Sequence, residues 1–149
     1  MRDRNRPVLS VEEAQAHILS TVDVLETEYV TLLDAAGRVL TEEITADRDI
    51  PPVTNAAMDG YAVRSADLVE GKRRFRVVGE VAAGYQPAVC VESDQAVRIM
   101  TGAPVPQGAD TVVRFEDTRL NGAWVEILDA PSPGKSVRPA GEDVTTGQV

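Results

Sequence analysis

Three short stretches carry side chains whose types and spacing could do chemistry. In Asn55-Ala56-Ala57-Met58-Asp59-Gly60-Tyr61-Ala62, the polar groups of Asn55 and Asp59 punctuate small residues that let a ligand approach the backbone. Asp59-Gly60 also reads as a plain turn ahead of a strand, with Tyr61 as a core or edge ring. From Ile99 to Asp110 a strand runs into a Pro/Gly loop, where Thr101 offers a hydroxyl and the Gly102 and Ala103 N–H groups can face an anion. It is not a phosphate-binding P-loop, because the second Gly-Lys-Ser/Thr element is missing, and a connection stiffened by Pro104 and Pro106 accounts for the same residues. Arg138-Pro139-Ala140-Gly141-Glu142-Asp143 sets one guanidinium against two carboxylates, which suits an anion, a hydrated metal or a salt-bridged surface turn.

Other chemistries find less support. Cys90, in Ala88-Val89-Cys90-Val91, has no basic neighbour to activate the thiol and reads as a small apolar core residue. His17 falls in a predicted helix with no Gly-x-Ser-x-Gly elbow to partner it. Carboxylates are too abundant to single out a glycosidase pair. The one basic run, Lys72-Arg73-Arg74-Phe75-Arg76, reads as protection of an edge strand before it reads as a nucleic-acid contact.

Composition narrows the classes further. The 149 residues carry 15 Lys+Arg against 24 Asp+Glu, a formal charge of −9, so the summed field opposes DNA, RNA and anionic membranes. Hydrophobic residues make up 43% but aromatics only 4%, which implies an aliphatic core. One cysteine excludes an intrachain disulfide, and one histidine beside it excludes a zinc site built on several His or Cys ligands. Glu12 and Glu13 interrupt the apolar run a secretory signal needs, and no stretch of 18 apolar residues spans a bilayer, so a cytoplasmic setting is expected.

The elements that must position these residues change character along the chain. Ser10 with Glu13 forms a capping box opening a helix to about Val22. Glu28 to Leu33 reads as a strand, Asp34 to Leu40 as a helical turn, and Glu42 to Ala46 as extended. After Pro51-Pro52 come short Val-rich runs: Tyr61 to Arg64, Phe75 to Val81, Gln95 to Met100, Asp110 to Phe115, Trp124 to Leu128, and Ser136 to Arg138. Asn121-Gly122 predicts a hairpin joining Thr111–Phe115 to Trp124–Ile127. The expected fold class is mostly β with some α. A small β-barrel or sandwich over 50–130 is inserted in an extended α+β segment formed by 1–49 and 131–149.

Four stretches occur together and in order: Pro51 to Arg64, Gly79-Glu80-Val81-Ala82-Ala83-Gly84, Arg98 to Pro106, and Arg138 with Gly141-Glu142-Asp143-Val144. In this the chain resembles the molybdopterin molybdenumtransferases, the family of the bacterial MoeA proteins and the E domain of gephyrin. The resemblance covers nearly the whole chain, and Met-Asp-Gly-Tyr-Ala with Met-Thr-Gly-Ala-Pro is its most specific part. It implies insertion of molybdate into adenylylated molybdopterin with release of AMP, assisted by Mg²⁺. It also implies an elongated homodimer whose cleft lies between subunits, and the molybdopterin adenylyltransferase as a candidate partner.

Carried over by position, Asp59, Thr101 and Asp143 match catalytic polar residues of that cleft, and Asn55, Gly102, Arg138 and Glu142 match substrate-binding positions. Ala56 departs from the Ser of many relatives. Relatives continue past the point corresponding to Val149 into an α/β domain with most metal ligands and a C-terminal β domain. The chain is therefore expected to be the N-terminal part of such an enzyme, inactive by itself. A non-catalytic dimerisation or scaffold module, or an independent acidic metal-binding hydrolase, are the alternatives.

Overall fold

A computed structural model describes residues 8–149, which fall into two compact units divided between Glu43 and Ile44. In the first unit, helix α1 spans Val11–Leu19. The Ser10 Oγ accepts the Glu13 N–H at 3.1 Å while the Ser10 N–H donates to the Glu13 carboxylate at 2.8 Å, completing the predicted capping box. The helix stops before Val22 because the Ser20 and Thr21 hydroxyls turn back onto the His17 and Ile18 carbonyls, closing the last turn. The strand expected at Glu28–Leu33 does not form. Leu32–Ala35 is instead a 3₁₀ turn, held by a Thr31 hydroxyl donating to Asp34 at 2.7 Å and flanked by an Arg38–Glu28 ion pair. Among the described residues of this unit there is no pairing strand, so the β-forming residues Tyr29 and Val30 have no ladder to join.

The second unit holds the remaining elements: β1 (Asn55–Ala56), β2 (Gly60–Val63), helix α2 (Ser65–Val69), β3 (Arg74–Val81), β4 (Gln95–Ile99), β5 (Thr111–Arg114), β6 (Thr118–Asn121), β7 (Trp124–Ile127) and β8 (Val137–Arg138). Six strands form one sheet in the order β5-β2-β4-β3-β7-β6, antiparallel except for the β3/β4 pair. The period of two sorts side chains into two cores. Ala62, Val97, Ile99 and Val112 pack on one face with Ala56, Val91 and Ala103; Tyr61, Val63, Phe75, Ala96, Val113 and Val125 pack on the other with Leu68 of α2. Both faces are covered there, so β2 is buried throughout, and β4 and β5 bury successive residues, Ala96-Val97 and Val112-Val113.

Three expectations change here. The Asn121-Gly122 hairpin exists, with Gly122 at φ +60°, but its first arm is β6, not Thr111–Phe115. A 3₁₀ turn at Phe115–Asp117 breaks the chain between β5 and β6, and β5 pairs instead with β2, burying Val112 and Val113. The basic run begins β3, which lies between β4 and β7, so it protects no edge. Cys90 is exposed rather than in the core.

The smaller sheet pairs β1 with β8, setting Asn55 opposite Arg138 and Ala56 opposite Val137. Beyond it, Ile50 bridges Val144, and the Ala46 N–H donates to the Gln148 carbonyl. Residues 137–148 therefore run back along 46–56.

Candidate functional site

The segment Asn55–Asp59 is threaded between the other two motif stretches. On one side the Ala56 N–H donates to the Ala103 carbonyl and the Gly102 N–H to the Ala56 carbonyl, at 3.0 and 2.8 Å, with Asn55 bridging Pro104. On the other side β8 brings Arg138 into register with Asn55, and the Ala57 N–H donates to the Ser136 carbonyl. All three stretches picked out by residue type thus become backbone neighbours. Small side chains permit this close threading, and Ala56 is 1% exposed.

Asp59 is anchored at the end of this segment. Its Oδ1 accepts both the Thr101 N–H at 2.7 Å and the Thr101 hydroxyl at 2.6 Å, leaving Oδ2 without a donor among the described residues. The hydroxyl bond first, then the amide bond, hold the carboxyl below its ordinary value, and the Arg98 charge adds to this. Asp59 is therefore an ionised acceptor with one oxygen fixed and one open.

The groups expected to face an anion are otherwise engaged: the Thr101 hydroxyl donates to Asp59, the Gly102 N–H to the Ala56 carbonyl and the Ala103 N–H to the Met100 carbonyl. What the loop supplies is a rigid support for Asp59, with Gly102 at φ +79° making the turn.

Gly60 shows a second constraint. A Cβ there would lie 2.0 Å from the Val113 carbonyl oxygen, so only glycine lets β2 lie this close to β5. The Asp-Gly pair thus places a fixed carboxylate beside a tight strand pairing.

Arg138 meets both carboxylates of its own turn. Its Nε donates to Glu142 at 2.5 Å and a terminal nitrogen to Asp143 at 2.7 Å; Glu142 first, and then Asp143, raise the pKa of the guanidinium. The turn is fixed by the Gly141 and Asp143 N–H groups, which donate to the Pro51 and Ile50 carbonyls at 2.9 Å. An anion reaching Arg138 competes with two carboxylates for its charge.

Sequence reasoning missed Asp49. Its Oδ1 accepts the Thr146 N–H at 2.8 Å and hydroxyl at 2.7 Å, repeating the Asp59–Thr101 arrangement beside the Arg138 turn, and Thr146 holds its carboxyl below the ordinary value. No local signal marks a pairing between residues 97 apart in the chain. Also missed is a cavity of about 620 Å³ bordered by Met58, Arg114, Ser132 and Lys135, which only the return of 131–136 along β5 creates. Among the described residues no group of three or more His, Cys, Asp or Glu side chains could hold a metal ion. No described helix is long and apolar enough to cross a membrane.

With this geometry in view, residues 9–149 match the model of the family described as the MoeA N-terminal region (domain I and II). The chain is 42% identical over 140 residues to the molybdopterin molybdenumtransferase of Nostoc sp., covering 89% of this chain and 32% of that protein. It is 36% identical over 157 residues to that of Bacillus subtilis, covering 100% and 36%. The crystal structure of the molybdopterin biosynthesis moeA protein from Pyrococcus horikoshii OT3 superposes with a TM-score of 0.83 at 35% identity, covering 93% of this chain and 38% of that one. The chain spans about a third of the length of these relatives.

Proposed function

The chain belongs to the MoeA N-terminal region family, and from that membership we propose that it supplies one wall of a site that inserts molybdate into adenylylated molybdopterin with release of AMP. The observation that carries this reading is the threading of Asn55–Asp59 between Thr101–Pro104 and Ser136–Arg138, which gathers the residues of three separate motifs.

In this reading Asp59 is the catalytic carboxylate: held ionised through Oδ1, it uses Oδ2 to accept a proton or hydrogen bond from substrate or from the water that attacks the adenylate. Thr101 positions it. Arg138 receives an anionic group of the substrate by exchanging Glu142 or Asp143 for it. Asp143, once released, becomes a second acceptor, while Asn55 and Gly102 keep the segment in place. Among the described residues no group of three or more His, Cys, Asp or Glu side chains could hold Mg²⁺.

The setting is a cytoplasmic homodimer, with the molybdopterin adenylyltransferase as the enzyme that presents the adenylylated substrate. A chimera tests the catalytic role, with residues 9–149 replacing the matching third of the Nostoc enzyme. We expect measurable AMP release from adenylylated molybdopterin and molybdate, lowered by at least about 100-fold in Asp59→Asn. A folded Asp59→Asn chimera with unchanged AMP release would refute the assignment.

A second reading, a non-catalytic dimerisation or scaffold module, is favoured by the apolar surface of the first unit, where Val24, Leu25, Tyr29, Leu32, Leu33 and Val39 are all exposed. Sedimentation of the chain, together with AMP release by the chimera, separates the two: a dimer with a silent chimera supports the scaffold.

A further inference from the structure

The basic run Lys72–Arg76 belongs neither to the Asp59 site nor to an edge strand, and its surroundings suggest a use. Phe75 and Val125 point into the core, so Arg74, Arg76, Trp124 and Glu126 share the opposite face of β3 and β7, where Arg76 is in register with Trp124 and Arg74 with Glu126. The β6 register adds Arg119 beside Glu126 and Asn121 beside Trp124. The Arg74 guanidinium lies over the Trp124 ring, 4.6 Å from its centroid. Arg73, Arg74, Asn121, Trp124 and Glu126 border a cavity of about 310 Å³. Glu126 is the one carboxylate lining it, and it meets Arg119 only at 3.9 Å. Arg73, Arg74 and Arg76 make no ion pair among the described residues. In a chain of net charge −9 this is a local reversal of sign.

The same end of the sheet has an open edge. Among the described residues β6 has a neighbour only on its β7 side, so its outward N–H and C=O groups have no sheet partner there. Leu120, opposite the fully buried Val125, remains 58% exposed at the rim of the core. We propose that β6 docks an extended acidic segment of a partner protein as an added strand. Its alternate acidic side chains then lie on the Arg74–Arg119 face, and an intervening apolar side chain covers Leu120. A nucleic acid fits less well, because a long polyanion also meets the net negative field of the chain.

Trp124 is the only tryptophan and reports directly on this surface. The full chain is titrated with a blocked heptapeptide alternating Glu and Val. We expect a saturable change in Trp124 emission, weakened at least about tenfold by Arg74→Glu or Arg119→Glu and by raised salt, together with slowed exchange of the Leu120 amide proton. The companion peptide with Lys in place of Glu keeps the protein unaltered and is expected to give no response. The proposal is overturned by any of four results: no saturable change up to about 1 mM peptide, an equal response to the Lys peptide, tighter binding of a single-stranded oligonucleotide, or unchanged Leu120 exchange. Self-association that occludes Trp124 would overturn it as well, by making a second copy the occupant.

Discussion

One carboxylate oxygen of Asp59 receives both the amide and the hydroxyl of Thr101, residues 42 apart in sequence, at 2.7 and 2.6 Å. Both bonds favour the charged form, and the hydroxyl contributes more. Thr101→Val removes the hydroxyl and keeps the amide, so the Asp59 pKa is expected to rise toward the ordinary aspartate range. Carboxyl chemical shifts followed against pH measure this, and an unmoved Asp59 titration would sink the account. Because Asp59 is already ionised at neutral pH, a change in activity between about pH 6 and 8 belongs to another group.

Gly60 makes a prediction about packing rather than charge. A methyl group there meets the Val113 carbonyl oxygen at 2.0 Å, and that oxygen belongs to the β2/β5 ladder and cannot swing aside. Gly60→Ala should cost about 1–3 kcal/mol of stability by forcing the strands apart. Denaturant melts of wild type and variant provide the comparison; equal midpoints would show that the ladder relaxes freely.

The parts of the fold legible in the sequence were those with a local cause. Ser10 and Glu13 are three residues apart and cap each other whatever else the chain does. The strands from Tyr61 onward are short runs rich in Val and other β-formers, set off by Gly, Pro and Asp turn residues, a signal that is local. Partners were harder to read. Asn121-Gly122 marks the hairpin turn, but nothing local says that Phe115–Asp117 will coil and hand the first arm to Thr118–Asn121. At the site, residue types singled out Asp59, Thr101 and Arg138, whereas their bonding partners are long-range facts. The Gly102 N–H that suited an anion goes to the Ala56 carbonyl. Cys90 looked apolar by its neighbours, yet Val89 turns toward Gly79 and Val91 toward the core, leaving the thiol outside.

Asp67 anchors the end of α2 in a way no motif announces. It is buried, and burial alone would raise its pKa. Bonds from the Lys72 ammonium at 2.9 Å, the Ser93 hydroxyl at 2.8 Å and the Asp94 N–H at 3.3 Å outweigh that and lower it. A carboxyl with a lowered folded pKa contributes stability above its unfolded value, and that stability is lost as pH falls through the folded one. Lys72, raised first by Asp67 and then by Asp94, has the opposite sign: its contribution is complete below 10.5 and is lost at higher pH. Asp67→Asn is therefore expected to cost about 1–3 kcal/mol at neutral pH and to flatten the fall in stability below about pH 4. Urea melts across that range test both halves, and a variant with the same acid limb as wild type would remove Asp67 from the explanation.

The Arg138 turn predicts a competition. Glu142 and Asp143 hold the guanidinium from two sides, so the charge is compensated before any substrate anion arrives. Removing the carboxylates should strengthen anion binding rather than weaken it. For the double variant Glu142→Gln with Asp143→Asn, we expect molybdate to bind at least about tenfold more tightly than to wild type, and Arg138→Gln in the same background should abolish the gain. Thermal melts should move little, because these are exposed ion pairs that contribute weakly to stability. Calorimetric titration with molybdate, and with sulfate as a second oxyanion, gives the readout. Unchanged affinity in the double variant would mean that the carboxylates do not gate the guanidinium. A gain that survives Arg138→Gln would place the anion elsewhere on the turn.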